Sequence, residues 1–334
     1  MLDLARRVRT AASRARALNC ESLVQMRDGD PRAAVRTATA ALKSARQSRQ
    51  TPLVATSLFR LAEAQFRDDS SEQAIRSAAA AAELFKLLGQ VSGQGRALWA
   101  VAAAHSRLAR AAEAKRAAAE ALALCRSCGD LYGVGNALNI LMFDEADLGH
   151  RLKLLNQALA AFEATGYLER QGGVTFNLGL AYTDLGLYRR ARRLHLKAGD
   201  LYARTGSRDG VSGNLWILAF GEMEMGRLDH ARRYVAEADA MAAEAGEDRR
   251  IPHFRALAYG RLAHLEGDLP TALRHYRRAA KLVRDAGHAA AEMNALACLA
   301  QAQLAAGSAG AALVSTRRAT PACTMPTAWP RCRG

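Results

Sequence analysis

Proline, aromatic residues and flexible linkers are scarce in this sequence. Its 334 residues include seven prolines, and 6% of the chain is aromatic. No stretch rich in proline, glycine and serine divides the chain, so we expect one continuous arrangement over residues 1–320 rather than two or three globular domains. Hydrophobic residues make up 50% of the sequence, but alanine inflates that figure. The core is therefore predicted to be thin and close-packed.

Cysteine is also sparse, and its distribution argues against a disulfide framework or a zinc site. The six cysteines are scattered along the chain, which suits a reducing compartment. The one CxxC pair, Cys125 and Cys128, lacks the second pair of ligands that a structural zinc ion requires. We interpret these two as helix-end cysteines and expect no metal. A redox or metal function is the alternative.

Motifs for catalysis and for membrane insertion are missing as well. The sequence has no Walker loop, no GxSxG elbow, no HExxH pair and no kinase signature. It has no run of about 18 apolar residues that would span a membrane, and its arginine-rich start lacks the apolar core of a secretory signal. We expect a cytoplasmic protein that is not an enzyme and has no cofactor. A mitochondrial transit peptide is the alternative interpretation of the N-terminus.

A repeat of about 40 residues runs through the chain. Residues typical of tight turns recur at Gly29, Asp69, Ala109, Gly149, Gly186, Gly226, Gly267 and Gly307. A second glycine follows most of them about 20 residues later, at Gly89, Gly129, Gly166, Gly206, Gly246 and Gly287. Because helical periodicity fills the stretches between these positions, each repeat is predicted to be a pair of helices.

Alanine marks two fixed positions inside nearly every repeat. The fifth and twelfth residues after each turn are alanine, as at Ala191 and Ala198, while the Gly149 repeat has Leu154 in the first position. Seven residues are two helical turns, so both alanines lie on one face, where a neighbouring helix approaches closely. A small residue seven positions before the turn, such as Gly179, does the same for the first helix. These are packing positions.

The stretch from Leu178 to Ala198 resembles the tetratricopeptide repeat. The family's order of leucine, small residue, aromatic, glycine turn, aromatic and two alanines is matched by Leu178, Gly179, Tyr182, Gly186, Tyr188, Ala191 and Ala198. The sequence departs from the family's usual period of about 34 residues and lacks its proline. It is similar to the longer-helix variant in sensory and regulatory regions of bacterial signalling proteins. The resemblance implies an all-α, right-handed α-solenoid of about eight repeats.

The resemblance also implies that first helices line a concave groove and second helices form the convex outer wall. The side of the first helices opposite the small packing residue then supplies candidate partner-binding residues. These are Phe59, Trp99, Asn136, Asn139, Phe143, Phe176, Leu180, Asp184, Trp216, Phe220, Glu224, Phe254 and Arg261. Aromatic anchors joined by polar groups suit an extended peptide or a partner helix, with Trp216 and Phe220 as the favoured pair. The alternative is that several rings are wedges between neighbouring repeats.

The chain is strongly basic, with a formal charge of +15. Its densest basic clusters fall on second helices, at Arg189 to Arg193, at Arg232 with Arg233, and at Arg274 to Arg284. On the convex wall, such residues form either a solvated face or a surface for an anionic partner. Since no recognition helix or base-stacking motif accompanies them, nucleic acid is the less favoured partner.

The helical pattern fails over residues 321–334, which contain three of the seven prolines and two of the six cysteines. One interpretation is a non-helical tail. The other is a frame error, because GC-rich codons read one nucleotide earlier from Cys323 would encode LHHAHGLAAVQG, which resumes the helical pattern. An uncapped end of the last repeat would also favour oligomers.

These features predict a non-catalytic scaffold or sensory module that binds a protein or peptide in its groove. The alternative is the N-terminal sensory region of a truncated signalling protein, such as a nucleotide or diguanylate cyclase or a transcription activator. The less favoured third interpretation is a nucleic-acid-associated protein that uses the basic convex face.

Overall fold

A computed structural model describes residues 10–27, 29–143, 145–244, 252–285 and 289–319. Within these ranges the chain forms sixteen α-helices and no β-strand, which confirms the predicted all-α helical repeat fold. The helices are α1 (Ala11–Arg27), α2 (Pro31–Gln47), α3 (Thr51–Arg67), α4 (Ser71–Leu87), α5 (Val91–Arg107), α6 (Ala111–Ser127), α7 (Leu131–Leu141), α8 (Leu148–Thr165), α9 (Leu168–Asp184), α10 (Tyr188–Arg204), α11 (Arg208–Glu224), α12 (Leu228–Glu244), α13 (Pro252–Leu265), α14 (Leu269–Asp285), α15 (Ala289–Ala305) and α16 (Ala309–Ala319). None of these helices has the length and apolar character needed to cross a membrane.

The chain divides into two compact units, Met1–Tyr167 and Leu168–Gly334, here named unit 1 and unit 2. Unit 1 contains α1 to α8, and unit 2 contains α9 to α16. Within each unit every helix packs against the next one along the chain. The odd-numbered helices are the first helices of the repeats, and each also contacts the first helix of the next repeat in its unit. This is the packing pattern of stacked helix pairs.

A left-handed residue joins the two helices of every pair except α7 and α8, between whose described residues none occurs. Glycine occupies most of these positions, but Asp69 and Ala109 adopt φ angles of 59° and 56°. After the left-handed Gly186, the Leu187 N–H donates a 2.9 Å hydrogen bond to the Tyr182 carbonyl and so closes the end of α9. The predicted turn glycines at 246 and 287 lie outside the described residues.

The structure differs from the sequence expectation at the turn predicted near Gly149. Gly149 lies in the first turn of α8, and the Asp147 side chain caps this helix by accepting hydrogen bonds from the N–H groups of residues 149 and 150. The equivalent turn position is Ala146, because Gly166 then follows it by the usual 20 residues. Ala158, which is fully buried, then occupies the twelfth position, and Arg151 replaces Leu154 as the exception at the fifth position. The three missing residues belong to the end of α7, which stops at residue 141.

Seven of the eight second helices bury a third residue at the ninth position after the turn, and α16 has the exposed Thr316 there. The buried residue is alanine in α2, α4 and α6 and leucine in α8, whereas α10 and α14 carry His195 and Tyr276. Glycine on the facing first helix makes room for these rings. A Cβ atom on Gly179 would lie 2.5 Å from His195 Nε2, and one on Gly260 would lie 2.8 Å from the Tyr276 ring.

Candidate functional site

In unit 1, most of the predicted partner-binding residues lie in or near the core. Phe59 and Trp99 are 7% and 8% exposed and belong to one cluster rich in buried alanine. Asn136 is buried, and its amide donates a 3.0 Å hydrogen bond to the carbonyl one helical turn earlier. Asn139 is half-buried, and Phe143 is the exposed member of the set. Phe59 and Trp99 therefore occupy the place of wedges between helices.

In unit 2, the favoured pair of the sequence analysis separates. Trp216 is 1% exposed and packs with Ala219, Val235 and Leu262, so its ring lies inside the core. Phe220, one helical turn later, is half-buried and touches two core clusters. The cause is the ten-residue offset from the turn, which directs the side chain towards α12 and α13 rather than away from them.

Three further predicted residues lie on α9. Phe176 and Leu180 are half-buried, and Asp184 is exposed. The Phe176 ring meets the buried His195 ring edge-on at a centroid distance of 5.2 Å. Burial lowers the pKa of His195 to about 4, so this imidazole is neutral at physiological pH. The Phe176 ring therefore packs against the neutral imidazole of His195.

A cavity of about 90 Å³ opens among the first helices of unit 2. Its lining comes from α11, α13 and α15, which are the first helices of three consecutive repeats, together with one residue of α14. The lining residues are Phe220, His253, Phe254, Leu257, Arg261, Tyr276, Ala291, Asn294 and Cys298. We call this cavity the unit 2 pocket. It brings together three predicted residues, at positions 220, 254 and 261.

A fourth predicted residue joins the pocket through an ion pair. The Arg261 guanidinium on α13 donates to the Glu224 carboxylate on α11, so adjacent first helices are linked at the pocket edge. The side chains of both residues are largely buried, at 18% and 16% exposed. The two charges of this ion pair balance each other. The remaining walls of the pocket are mainly apolar, from Phe220, Phe254 and Leu257, and the Asn294 amide adds a polar group.

Sequence reasoning missed several pocket residues, and two of them carried a usable signal. Leu257 stands ten residues before its turn, the same position as Phe176 and Trp216 in their repeats. Asn294 stands thirteen residues before its turn, as Phe254 does. Extending both columns to the last repeats would have found them. Tyr276 comes from a second helix, so a rule restricted to first helices had no means of finding it.

The CxxC pair has a structural environment. Cys125 is fully buried, and desolvation raises the pKa of its thiol to about 12, which suppresses the reactive thiolate. Its sulfur fills space left by Gly95 and Gly133, where added Cβ atoms would lie 2.5 and 2.3 Å from Sγ. Cys128 is exposed. Among the described residues, no cluster of three histidine, cysteine or acidic side chains is arranged to hold a metal ion.

The basic clusters of unit 2 are exposed, with one member drawn inward. Arg189, Arg190 and Arg193 are exposed on α10, whereas the Nε atom of Arg192 lies 2.5 Å from the carboxylate of Glu222. This carboxylate is fully buried on α11. It also lies 3.2 Å from the guanidinium of residue 227 and 3.6 Å from the imidazole of residue 230. Arg192 thus belongs to a buried charge cluster, and its neighbours face solvent.

Paired helices, left-handed turns and buried alanines give this chain an all-α fold of stacked helix pairs, which is the fold that the resemblance to tetratricopeptide repeats implies. No protein-family model and no curated protein matches the sequence. Solved structures do match the fold. A Rap protein complexed with competence and sporulation factor has a TM-score of 0.71 and 15% identity, with 92% of this chain and 84% of that chain covered.

Two further structures extend the comparison. The Rap conjugation gene regulator of the plasmid pLS20, in complex with the Phr* peptide, has a TM-score of 0.66 and 11% identity over 92% of this chain and 94% of that chain. A signal transduction ATPase with numerous domains and a tetratricopeptide repeat sensor, from Pyrococcus horikoshii, has a TM-score of 0.58 and 14% identity. It aligns with 95% of this chain, which spans 50% of that longer protein. At these identities the likeness concerns the fold.

Proposed function

We propose that this protein is a non-catalytic scaffold or sensory module that recognises an extended peptide segment of a partner at the unit 2 pocket. The observation that carries the proposal is the origin of the pocket walls. First helices of three consecutive repeats supply them, on the side where the repeat pattern predicts a groove. A concave, mostly apolar site with a few polar groups is the usual form of a recognition site.

The chemistry of the walls favours one apolar side chain as the anchor. Phe220, Phe254 and Leu257 offer aromatic and aliphatic surface, and the Arg261–Glu224 pair adds no net charge. The Asn294 amide both donates and accepts hydrogen bonds, so it suits a peptide group of the partner. Burial of the anchor would supply affinity, and the amide would fix the register of the segment.

Two helical glycines support a path for the partner main chain. Gly173 on α9 and Gly213 on α11 occupy the position thirteen residues before the turn, where Phe254 and Asn294 stand in the next two repeats. A Cβ atom on Gly213 would meet nothing within 4 Å, and one on Gly173 would meet only a tyrosine hydroxyl at 3.8 Å. Packing does not require either glycine, although each costs a helix about 1 kcal/mol relative to alanine. We attribute these two glycines to the partner main chain, which can approach a helix closely where no side chain is present.

The comparisons supply a precedent. Two solved structures with this fold are complexes, one with the Phr* peptide and one with competence and sporulation factor. These complexes support the proposal that a chain with this fold recognises a partner, and we propose the unit 2 pocket as the place of contact.

The proposal is tested by selecting ligands from a random peptide library on the immobilised full chain. The best peptide is then measured by fluorescence anisotropy on the wild type and on Phe254→Ala. Loss of an anchoring wall is expected to weaken binding at least about 10-fold. Phe66→Ala is the matched control, because Phe66 is a half-buried phenylalanine of unit 1 that lies outside the pocket and is not a candidate partner-binding residue.

Two results would contradict the assignment of the binding site to the unit 2 pocket. One is that the selected peptides lack an apolar anchor, and the other is that they bind Phe254→Ala as tightly as the wild type. Circular dichroism must show equal helicity and cooperative unfolding for both variants, so that weaker binding is separated from unfolding. Should Phe254→Ala unfold, Asn294→Ala tests the same pocket from the surface of α15.

A second candidate is a sensory region within a larger signalling protein. The signalling ATPase with a tetratricopeptide repeat sensor favours this candidate, because this chain aligns with 50% of that longer protein. Sequencing the gene past the codon for Gly334 tests it. A reading frame that enters a further domain is the expected result, and a confirmed stop codon at that point would leave the stand-alone scaffold.

A further inference from the structure

A column of arginines occupies the seventh position after the turn on six of the eight second helices, and the exceptions are Lys153 on α8 and Val314 on α16. In unit 2 its members are Arg193 on α10, Arg233 on α12 and Arg274 on α14, and all three are exposed. The seventh position lies two residues beyond the first packing alanine, which is about 200° around the helix. The column therefore faces away from the first helices and from the unit 2 pocket.

The two end members of this column differ from the central one. Arg233 has acidic residues four positions before and after it, at 229 and 237, whereas Arg193 and Arg274 have none within one turn of their own helices. Arg193 instead has an arginine four residues before it and a lysine four residues after it, and Arg274 has an arginine four residues after it. Like charges four residues apart destabilise a helix. Within the described part of the chain, neither end arginine makes an ion pair, although the charge of Arg274 acts on Asp268 at the start of α14. The positive charges of the two end members are therefore only weakly balanced.

Unit 1 contains the same column, and its acidic neighbours differ from helix to helix. Arg76 on α4 has Glu72 four residues before it, and Arg116 on α6 has Glu113 and Glu120 within about one helical turn on either side. Arg36 on α2, in contrast, has an arginine four residues before it and no acidic residue on its own helix. All three arginines are exposed, as in unit 2. Arg76 and Arg116 thus combine arginine at this position with acidic neighbours, which the two end members of unit 2 lack.

We infer that the exposed arginines of α10, α12 and α14 bind the phosphate backbone of a nucleic acid. A polymer with evenly spaced negative charges matches cations that recur once per repeat. Protein interfaces rely on buried aromatic and aliphatic anchors. Among the described residues of these three helices, Leu196 is the only large apolar side chain that is exposed. The surface has no groups for reading bases, so binding is expected to be independent of sequence.

Salt-dependent binding of the full chain tests this inference. Anisotropy is measured with a fluorescein-labelled single-stranded RNA and with a duplex DNA, both of mixed sequence, between about 50 and 200 mM salt. The wild type is expected to lose affinity linearly in log salt. The double variant Arg193→Glu with Arg274→Glu is expected to bind RNA at least about 10-fold more weakly. Its salt slope should fall by about 1.4, since each lost phosphate contact removes about 0.7.

The matched control is Arg76→Glu with Arg116→Glu, which makes the same change of charge at the same repeat position in unit 1. It is expected to change RNA affinity less than about 2-fold. Equal losses in the two double variants would reduce the effect to net charge and overturn the site. Absence of RNA and DNA binding at low salt would overturn it as well.

Tighter binding of polyglutamate than of RNA would assign the surface to an acidic protein instead and overturn the inference.

Unfolding of the double variant is not expected to cause weaker binding. A glutamate at position 193 gains cationic neighbours four residues away on both sides, and one at position 274 gains Arg278. The unfolding temperature of the double variant should therefore equal or exceed that of the wild type.

Discussion

Units 1 and 2 form the same helix pairs with different residues at the contact between the two helices. At the ninth position after the turn, α4 in unit 1 places Ala78 against Ala62 of its partner helix, whereas α14 in unit 2 places Tyr276 against Gly260. In the unit 2 pair, the glycine leaves space on the first helix, and the tyrosine ring of the second helix fills that space. The comparison shows that a repeat conserves the spacing between helices and that the spacing is met by small–small or by glycine–ring pairs.

Unit 2 buries a histidine and a glutamate, whereas the buried polar residues described in unit 1 are serine, asparagine and glutamine. The buried His195 exchanges hydrogen bonds with Asn214, whose amide donates 2.8 Å to the histidine carbonyl. Glu222 is fully enclosed next to Arg192. Such groups stabilise only while their partners remain, because an unpaired buried charge is costly. Unit 2 is therefore expected to be the more sensitive unit towards single substitutions and towards pH.

The largest difference is expected at the buried carboxylate. Glu222→Gln keeps the shape of the side chain but removes the buried negative charge that accepts a hydrogen bond from Arg192, so the free energy of unfolding should fall by about 3 kcal/mol in urea titrations. The comparison in unit 1 is Glu72→Gln, which breaks the exposed pair with Arg110 and should leave the unfolding midpoint unchanged. Equal effects of the two substitutions would refute the contrast.

The next effect is a loss of stability in acid that depends on His195. Burial lowers the pKa of His195 to about 4 from its ordinary 6.5. Between these values the unfolded chain takes up a proton and the native chain does not, so stability falls as the pH drops from 6.5 to 4, by about 3 kcal/mol in total. His195→Val, which copies the neighbouring repeat, should remove this component from the pH dependence of urea unfolding. An unchanged pH profile in this variant would contradict the assignment.

A smaller effect is expected from converting one pairing mode into the other. Gly260→Ala places a Cβ atom 2.8 Å from the ring of Tyr276, which is 2% exposed and has little room to move, so a loss of about 1–3 kcal/mol is expected. In a Tyr276→Ala background the same change should cost nothing, because the pair then copies unit 1. The double-mutant cycle, measured by chemical unfolding, checks this coupling, and additive effects would show that the ring and the glycine are independent.

The smallest expected effect is a gain in unit 1. Ala109 holds a left-handed φ of 56°, where a Cβ atom is strained, while most equivalent turns have glycine. Ala109→Gly should raise the free energy of unfolding by up to about 1 kcal/mol. Gly129→Ala is the reciprocal control, since Gly129 is left-handed with φ of 71°, and it should lower stability. A destabilised Ala109→Gly would mean that backbone entropy outweighs the strain.

Much of the fold was predictable because it depends on local periodicity. The recurrence of turn residues located the helix pairs, and the alanines at positions such as Ala191 and Ala198 identified the buried face, since helical spacing alone determines which residues share a side. The Gly149 repeat was displaced by three residues, because glycine was taken as the marker of a turn whose actual signal is the capping side chain of Asp147.

The candidate site was predictable only in part. Phe220, Phe254 and Arg261 were found from the face of the first helices, and they line the unit 2 pocket. Phe59 and Trp216 were selected by the same rule and are buried. Position within a helix gives the direction of a side chain, but its exposure depends on how large the residues of the neighbouring repeat are.

The all-α repeat fold, the packing face of most helices and the lack of recognisable catalytic motifs could be predicted from the residues alone, because these follow from spacing along one chain. The packing of the helices was needed to learn which aromatic rings are wedges and which line a pocket, that Arg261 contacts Glu224, and that Cys125 fills a gap between glycines. Those outcomes depend on distances between residues that are far apart in sequence. They are set by the volumes and charges of facing helices, which periodicity does not encode.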